Sequence, residues 1–242
     1  MGEVITFFGG DSQVGLTLLT ASIAQGLKTK GKKSLVLFAS LEIEEEYFPQ
    51  ERSGNLGTLL RLSKVEKNEA KAVIEEGKDF DYIKGPSDIL KKQFFDPELL
   101  DNLIDLVSGS YDYILIDAGH DVTLPLCAAS LSAANRRYYV LTGSEKCLSR
   151  YKASYSSVIE GLGLNTDKDK LIINKENKKT ATYLSSEVCT LLGKEGFAVP
   201  FYEYPLRCEV DKDTAFSRDS LYQKAVLAIV NDILEIEPKK KK

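Results

Sequence analysis

The feature that most constrains the fold of this chain is a short apolar stretch followed at once by two glycines and a helical pattern. Val4–Phe8 is rich in β-branched and aromatic residues, which predicts a buried strand. Gly9 and Gly10 end that strand, and from Leu16 onward apolar residues recur at helical spacing. A strand, a glycine loop and a helix in this order are the context in which phosphate-binding loops occur.

The loop matches the phosphate-binding pattern G-x-x-x-x-G-K-[ST] except at one position. The pattern covers Gly10 to Thr17, GDSQVGLT, with both glycines and the hydroxyl residue in place and Leu16 where the lysine belongs. In such loops the backbone N–H groups and the start of the helix bind phosphate oxygens. The sequence therefore predicts the frame of a phosphate loop without its main charge. An ordinary strand-to-helix turn is the alternative for Gly9 and Gly10.

A second strand ends in an acidic residue that can join the loop. Ser110–Gly119 reads SYDYILIDAG, so Asp117 lies at the end of the predicted strand. Ligand sites in open parallel sheets lie at the carboxyl ends of the strands, where Thr17 and Asp117 can converge. A hydroxyl and a carboxylate are oxygen ligands that suit Mg²⁺. We therefore expect a magnesium site at Thr17 and Asp117, with a helix cap as the alternative for Asp117.

The rest of the chain alternates strands with helices. This order predicts an α/β fold, a mostly parallel twisted sheet with helices on both faces. We expect a single domain over residues 1–236 and a basic tail over residues 237–242. The strands are predicted at Val4–Phe8, Ser34–Ala39, Phe80–Ile83, Ser110–Gly119, Arg137–Thr142, Lys170–Asn174 and Phe197–Tyr202.

Composition narrows the class of protein. A formal net charge of −4 over 242 residues argues against strong nucleic-acid binding, which needs a basic excess. No apolar run approaches the roughly 20 residues of a spanning helix. The polar residues of the last helix, Leu221–Ile236, are mainly acidic, which favours packing on the sheet over membrane binding. We expect a cytoplasmic protein, found at a membrane or cell pole through its partners, with at most peripheral membrane contact.

With these segments in place, the chain resembles the MinD/ParA-type P-loop ATPases over nearly its whole length. Asp11 to Thr17 aligns with the loop KGGVGKT of that family, and Tyr111 to Asp117, YDYILID, is similar to its strand YDYIIID. The resemblance implies the P-loop NTPase fold, with ATP and Mg²⁺ as cofactors and a homodimer as the assembly. It implies nucleotide contacts at Gly10, Asp11, Ser12, Gln13, Val14, Gly15, Leu16, Thr17 and Leu18, and base contacts at Asn174, Lys175, Tyr204 and Pro205.

The loop departs from the family pattern at positions that carry charge. Leu16 replaces the lysine that meets the β- and γ-phosphates, and Asp11 replaces the signature lysine that reaches the partner's nucleotide. Ser12 and Gln13 replace glycines, which places side chains where the backbone approaches phosphate. Two unit charges at 4 Å interact by about 4 kcal/mol at an effective dielectric constant of 20, so these changes remove several kcal/mol of phosphate stabilisation.

A further departure concerns the attacking water. The family's aspartates after the second strand should fall near Ala39 and Leu41, neither of them acidic, and Glu42 is the only nearby candidate for their role. Phosphoryl transfer depends mainly on electrostatics and positioning. We therefore assign no catalytic residue and expect little or no ATP hydrolysis.

Three functional hypotheses follow. The first is a nucleotide-binding pseudo-ATPase that acts as a localisation or scaffold protein for a polar or cell-surface machine. Degenerate loops of this kind occur in the TadZ-like branch, which serves Tad/Flp pilus assembly. The second is a slow or partner-activated ATPase whose lysine comes from a partner, from Lys146 or from Lys175. The third is a protein-interaction domain without nucleotide, in which Gln13 and Leu16 fill the pocket.

Overall fold

The computed structural model describes residues 2–40, 54–59, 64–86, 96–155, 159–211 and 213–236. Seven strands form one sheet in the order β3-β2-β4-β1-β5-β6-β7, and every adjacent pair is parallel. The strands are β1 Glu3–Gly9, β2 Ser34–Phe38, β3 Asp81–Ile83, β4 Tyr113–Asp117, β5 Arg136–Leu141, β6 Lys170–Glu176 and β7 Gly196–Pro200. The predicted α/β class is confirmed, and the sheet of the described residues is parallel throughout.

Nine helices connect and flank these strands in the described part of the chain. They are α1 Leu16–Thr29, α2 Leu56–Leu59, α3 Lys67–Val73, α4 Pro97–Val107, α5 Pro125–Ala133, α6 Glu145–Ser154, α7 Ser185–Leu192, α8 Pro205–Asp211 and α9 Ser220–Ile233. The apolar residues of α1 and α9 belong to one core cluster, and those of α3 and α4 belong to a second. Helices therefore cover both faces of the sheet.

The central strands supply both clusters by simple alternation. On β2, Leu35 and Leu37 belong to the cluster of α4, whereas Val36 and Phe38 belong to the cluster of α1. Successive side chains of a strand point to opposite faces, so a strand covered on both faces is apolar at nearly every position. This is why the strands could be recognised as almost continuous apolar runs.

Helix α9, the last helix of the described chain, packs against α1, which follows the glycine loop. A methyl group added at Gly26 of α1 would lie 2.8 Å from a methyl carbon of Val230 on α9, so the two helices are in close contact. Tyr222, Val226 and Ile229 of α9 are also buried. The apolar face of α9 is thus used for packing. Among the described residues, no helix is both long and apolar enough to cross a membrane.

Two elements were not predicted from the sequence. Helix α8 begins at Pro205, a residue that is tolerated at the first helical position, where its missing N–H is not needed. A short 3₁₀ turn, Ala215–Ser217, is capped by the hydroxyl of Thr214, which accepts from the N–H of Phe216. The predictions for Leu41, Glu42 and the tail at 237–242 fall outside the described residues.

Candidate functional site

The glycine loop is held between the ends of β4 and β5, the two strands that flank β1 in the sheet. The N–H of Gly9 donates to the carbonyl of Gly119, just beyond β4, at 2.8 Å, and that of Gly10 donates to Val140 of β5 at 2.9 Å. A Cβ atom at Gly10 would lie 2.3 Å from a methyl carbon of Leu141. A side chain at position 10 would therefore have to displace the buried Leu141 side chain, which favours glycine at the start of the loop. The loop begins at the carboxyl edge of the sheet.

The loop then turns through two residues with left-handed backbone conformation before α1 begins. Gln13 has φ 58° and Gly15 has φ 80°. Ser12 and Gln13 form a hydrogen-bonded turn, and within the described residues the N–H groups of Gln13 and of residues 15–18 find no protein acceptor. Free N–H groups at the start of a helix point at a common region and carry the positive end of the helix dipole. The loop can therefore accept an anion, which is the property that the glycine pattern predicted.

Thr17 and Asp117 meet at the base of the loop. The hydroxyl of Thr17 donates to Oδ2 of Asp117 at 2.7 Å, and Oδ1 of the fully buried Asp117 accepts from the N–H of Gly119 at 3.0 Å. The structure therefore brings these two side chains together, as the sequence predicted. Both present oxygen atoms, which suit Mg²⁺, an ion that commonly takes one or two protein ligands and completes its shell with water and phosphate.

This pair would not hold an ion alone. Over the ranges that the structure describes, no group of three or more His, Cys, Asp or Glu side chains could bind a metal. The residues present fit a Mg²⁺ ion that arrives with phosphate ligands, because the free N–H groups of the loop lie next to the Thr17 hydroxyl in the chain. Thr17 and Asp117 would hold that ion.

Asp11 is bound to two cations of its own chain. Its Oδ1 accepts from the guanidinium of Arg150 and from the N–H of Ser12, and its Oδ2 lies 3.3 Å from Nζ of Lys146. Burial raises the pKa of the Asp11 carboxyl, but the hydrogen bonds from Arg150, Ser12 and Lys146 outweigh it and hold the pKa below its usual value. From the sequence, Asp11 was a reversed charge with no compensation. In the structure, helix α6 compensates that charge.

Leu16 and Gln13 differ in exposure. Leu16 is only 8% exposed and belongs to the core cluster of α1, whereas the side chains of Gln13 and Ser12 are exposed. The position of the missing lysine is thus occupied by a side chain that contributes to the core.

Asn174 and Lys175 both contact the glycine loop. The side-chain amide of Asn174 donates to the carbonyl of Val14 at 2.8 Å, and Nζ of Lys175 donates to the carbonyl of Gln13 at 2.6 Å. Asn174 is buried, and Lys175 lies at the surface with φ 57°. Desolvation beside the loop lowers the pKa of Lys175. The structure therefore brings together two predicted base-contacting residues and the loop from which the phosphate contacts were predicted.

The fold of this chain matches those of solved structures over all or nearly all of its length. MinD of Pyrococcus horikoshii, complexed with Mg-ADP, superposes with a TM-score of 0.80 at 17% identity and covers 100% of both chains. MinD in the MinC:MinD complex of Aquifex aeolicus gives 0.82 at 18% identity, covering 100% of this chain and 99% of that one. A ParA family ATPase of Chlorobium tepidum gives 0.78 at 17% identity, covering 95% and 99%.

The chain has the MinD/ParA P-loop ATPase fold. No protein-family model matches the sequence, and no curated protein sequence matches it. The likeness shown by these comparisons is therefore one of fold.

Tyr204 and Pro205 lie after β7, at the same carboxyl edge of this MinD/ParA sheet. Tyr204 is 61% exposed and its ring packs against Tyr202 with centroids 6.2 Å apart, while Pro205 begins α8. The proline segment is therefore the start of a helix. In the described part of the chain no hydrogen bond or ring contact joins Tyr204 or Pro205 to the glycine loop, and their role at a base stays a prediction.

Arg150 is the site residue that the sequence reasoning missed. Lys146 and Arg150 are four residues apart, so they lie on the same face of a helix. That spacing, just after a strand of the MinD/ParA sheet, is a signal for a basic pair near the loop. It does not show that the pair would meet Asp11.

Proposed function

We propose that this chain is a MinD/ParA-like protein that binds ATP with Mg²⁺ through the loop at residues 10–18 and hydrolyses little or none of it. The observation that carries the proposal is the Thr17–Asp117 hydrogen bond at 2.7 Å, next to the N–H groups of residues 15–18, for which the described residues provide no acceptor. Phosphate oxygens would satisfy those N–H groups, and Mg²⁺ would bridge the phosphates to the two side chains.

The nature of the ligand is supported by the solved relatives. The MinD structure of Pyrococcus horikoshii is a complex with Mg-ADP, and a McdA variant of Cyanothece is a complex with ATP at a TM-score of 0.74 and 14% identity. The same loop position in this chain retains both glycines and the hydroxyl residue. A nucleoside phosphate with Mg²⁺ is therefore the ligand that we propose.

Weak or absent hydrolysis is supported by the charges that the loop lacks. Leu16 places an apolar side chain where a phosphate-neutralising lysine would stand, and it is buried in the core cluster of α1. Ala39, at the end of β2, is buried and cannot orient a water molecule. Phosphoryl transfer takes most of its rate enhancement from positioned charge, so binding can survive changes that remove turnover.

The biological role that we propose is localisation or scaffolding. A protein that binds nucleotide without turnover can act through contacts with a second copy and with a protein partner of a polar or surface assembly, such as Tad/Flp pilus assembly. The MinD of Aquifex aeolicus is solved in complex with MinC, which supports a protein partner for the fold. The degenerate loop is the feature that supports the pilus assignment.

A slow or partner-activated ATPase is the second candidate. Lys175 favours it, because its ammonium lies against the loop and can replace part of the lost charge. The third hypothesis, a pocket filled by Gln13 and Leu16, has less support because the Gln13 side chain is exposed.

Calorimetry with ATP and Mg²⁺, followed by a phosphate-release assay, tests the proposal. We expect measurable binding to the wild-type protein, a clear loss of binding in Thr17→Ala, and no change in Thr29→Ala. Thr29 lies at the far end of α1, where its hydroxyl donates to Gly26, so it is a matched control. No binding to the wild-type protein would overturn the nucleotide proposal.

The phosphate-release assay separates a pseudo-ATPase from a slow enzyme. We expect the wild-type protein to release phosphate no faster than Thr17→Ala combined with Asp117→Ala. Turnover clearly above that background, and lost in the double variant, would establish the second candidate instead. The assay is repeated with candidate partner proteins, because a partner-activated ATPase would release phosphate above this background only when its partner is present.

A further inference from the structure

Lys175 lies across the glycine loop. Its Nζ donates to the carbonyl of Gln13 at 2.6 Å, and its Cε is 3.1 Å from the place where a Cβ atom at Gly15 would stand. The aliphatic part of the side chain thus passes over the last glycine of the loop. This brings an ammonium group from the end of β6, more than 150 residues away in the chain, to the loop that carries the unsatisfied N–H groups.

Two other cations of the described residues lie near the loop, and both bind a carboxylate of the same chain. Lys146 and Arg150 both bind Asp11, and both project from α6 with 66% and 53% of their side chains exposed. Their positive charge is partly cancelled by that carboxylate. The contact that the structure gives for the Lys175 ammonium among the described residues is a neutral carbonyl oxygen.

The loop does not need Lys175 for its shape alone. The buried Asn174 already holds it through the carbonyl of Val14 at 2.8 Å. Lys175 nevertheless has φ 57°, a left-handed conformation that is unfavourable for a non-glycine residue and is found where the surrounding structure enforces it. This backbone conformation and the contact over Gly15 both direct the ammonium to the loop.

We propose that Lys175 supplies the phosphate-directed positive charge that Leu16 does not. The inference rests on the proposed binding of a nucleoside phosphate and names the residue that neutralises it. An ammonium has three N–H donors, and the bond to Gln13 uses one of them, which leaves two for phosphate oxygens. A lysine on its flexible stem acts as a mobile point charge, so it can serve from a different place in the chain than the usual loop position.

In this proposal Lys175 recognises the phosphate chain of the nucleotide, whereas the family resemblance assigns Lys175 to the base. Inorganic tripolyphosphate separates the two roles because it has no base. Binding of ATP–Mg²⁺ and of tripolyphosphate–Mg²⁺ is measured by calorimetry for the full chain, for Lys175→Met and for Lys179→Met. Lys179 is an exposed lysine four residues further along and loses the same charge, so it serves as the control.

We expect Lys175→Met to weaken both ligands by about tenfold or more, since a hydrogen bond to a charged group is commonly worth that factor, and Lys179→Met to leave both unchanged. Loss of ATP binding with tripolyphosphate binding intact would show that Lys175 contacts the base and would overturn the inference. So would unchanged binding of both ligands, or binding of ATP but not of tripolyphosphate to the wild-type protein. Absence of any ATP binding to the wild-type protein would instead overturn the proposed function.

Discussion

The hydroxyl of Thr17 donates a 2.7 Å hydrogen bond to the buried carboxylate of Asp117, a residue 100 positions away in the chain. The bond joins the first turn of α1 to the end of β4, one of the two strands that pair with β1. The residues come together because the strands of a parallel sheet have their carboxyl ends at one edge. Asp117 is the last residue of β4, and the glycine loop that leads to Thr17 follows the end of β1 at the same edge. An ion held between these two side chains would contact both α1 and β4.

A first prediction concerns the dependence of binding on Mg²⁺. If Thr17 and Asp117 hold the ion, ATP should bind more tightly with Mg²⁺ than with a chelator present, and Thr17→Ala should remove most of that difference. The measurement is ATP titration at a series of Mg²⁺ concentrations. Equal enhancement by Mg²⁺ in wild type and Thr17→Ala would place the ion elsewhere, and Thr29→Ala again controls for the loss of a hydroxyl from α1.

A second prediction concerns the missing loop lysine. Leu16→Lys should tighten ATP binding by about tenfold or more, because a charge-assisted contact contributes roughly 1.5–3 kcal/mol. The same change should lower the unfolding free energy, since Leu16 is 8% exposed and belongs to a core cluster. Leu16→Met, which keeps the site apolar, should leave ATP affinity unchanged. A folded Leu16→Lys protein without gain in affinity would mean that position 16 does not face the phosphates.

A third prediction compares two glycines with left-handed backbone conformation. Gly15 has φ 80° and Gly31 has φ 72°, so alanine at either position should cost about 1–2 kcal/mol of unfolding free energy. An added Cβ at Gly31 meets nothing within 4 Å, whereas at Gly15 it would lie 2.9 Å from the Asn174 amide and 3.1 Å from Cε of Lys175. We therefore expect Gly15→Ala to weaken ATP binding and Gly31→Ala to leave it unchanged. Chemical denaturation and calorimetry measure the two effects, and equal ATP affinity in both variants would contradict the role of the loop.

A fourth prediction follows from the lowered pKa of Asp11. A carboxyl whose pKa is lower in the folded protein stabilises the fold above the pKa of the unfolded chain, about 3.9, and loses this contribution as the pH falls through the folded value. Asp11→Asn should therefore be less stable than wild type at pH 7, by about 1 kcal/mol because its cations are exposed.

The difference should shrink as the pH falls below about 4, because the Asp11 carboxyl of the unfolded chain is protonated there before that of the folded protein, and it should be lost once the folded carboxyl is protonated too. Urea denaturation at a series of pH values measures it. Asp101→Asn, on an exposed position of α4, is the control and should show no such dependence. A stability difference that persists unchanged at about pH 3 would mean that charge is not what Asp11 contributes.

A fifth prediction concerns self-association. The resemblance assigns position 11 to a lysine that crosses to a partner subunit, but here Asp11 is bound to Lys146 and Arg150 of its own chain. We therefore expect a homodimer whose formation depends only weakly on ATP. Sedimentation velocity over a concentration series, with and without ATP–Mg²⁺, measures this. A monomer that dimerises only after ATP is added would show that another residue has taken over the crossing contact.

The part of the site that could be predicted from the sequence is the part fixed by local rules. The glycines of the loop, the strand before it and the helix after it are adjacent in the chain, and Asp117 was placed by the rule that parallel strands end together. These patterns also gave the α/β class, because continuous apolar runs such as Ser34–Phe38 mark strands covered on both faces.

The remaining contacts depend on details of packing that no local pattern encodes. Asp11 meets Arg150 because α6 leaves the sheet next to the loop, and only the three-dimensional structure gives that direction. Lys175 reaches Gln13 because the chain takes a left-handed conformation at the end of β6, which is uncommon for lysine. Sequence reasoning therefore named Lys175 and Lys146 but could not say that Lys146 binds the Asp11 carboxylate whereas Lys175 binds the Gln13 carbonyl.

The contact between Asn174 and Val14 also sets the time at which the site can be completed during synthesis. The two residues are 160 positions apart, and a ribosome adds roughly 5–20 residues per second, so the loop is made about 8–32 s before the amide that holds it. Throughout that interval the nascent chain has the glycine loop but neither of the side chains that bind its carbonyl groups. The nucleotide binding that we propose would accordingly begin late in translation, and a ribosome that stops before β6 releases a loop without these two supporting contacts.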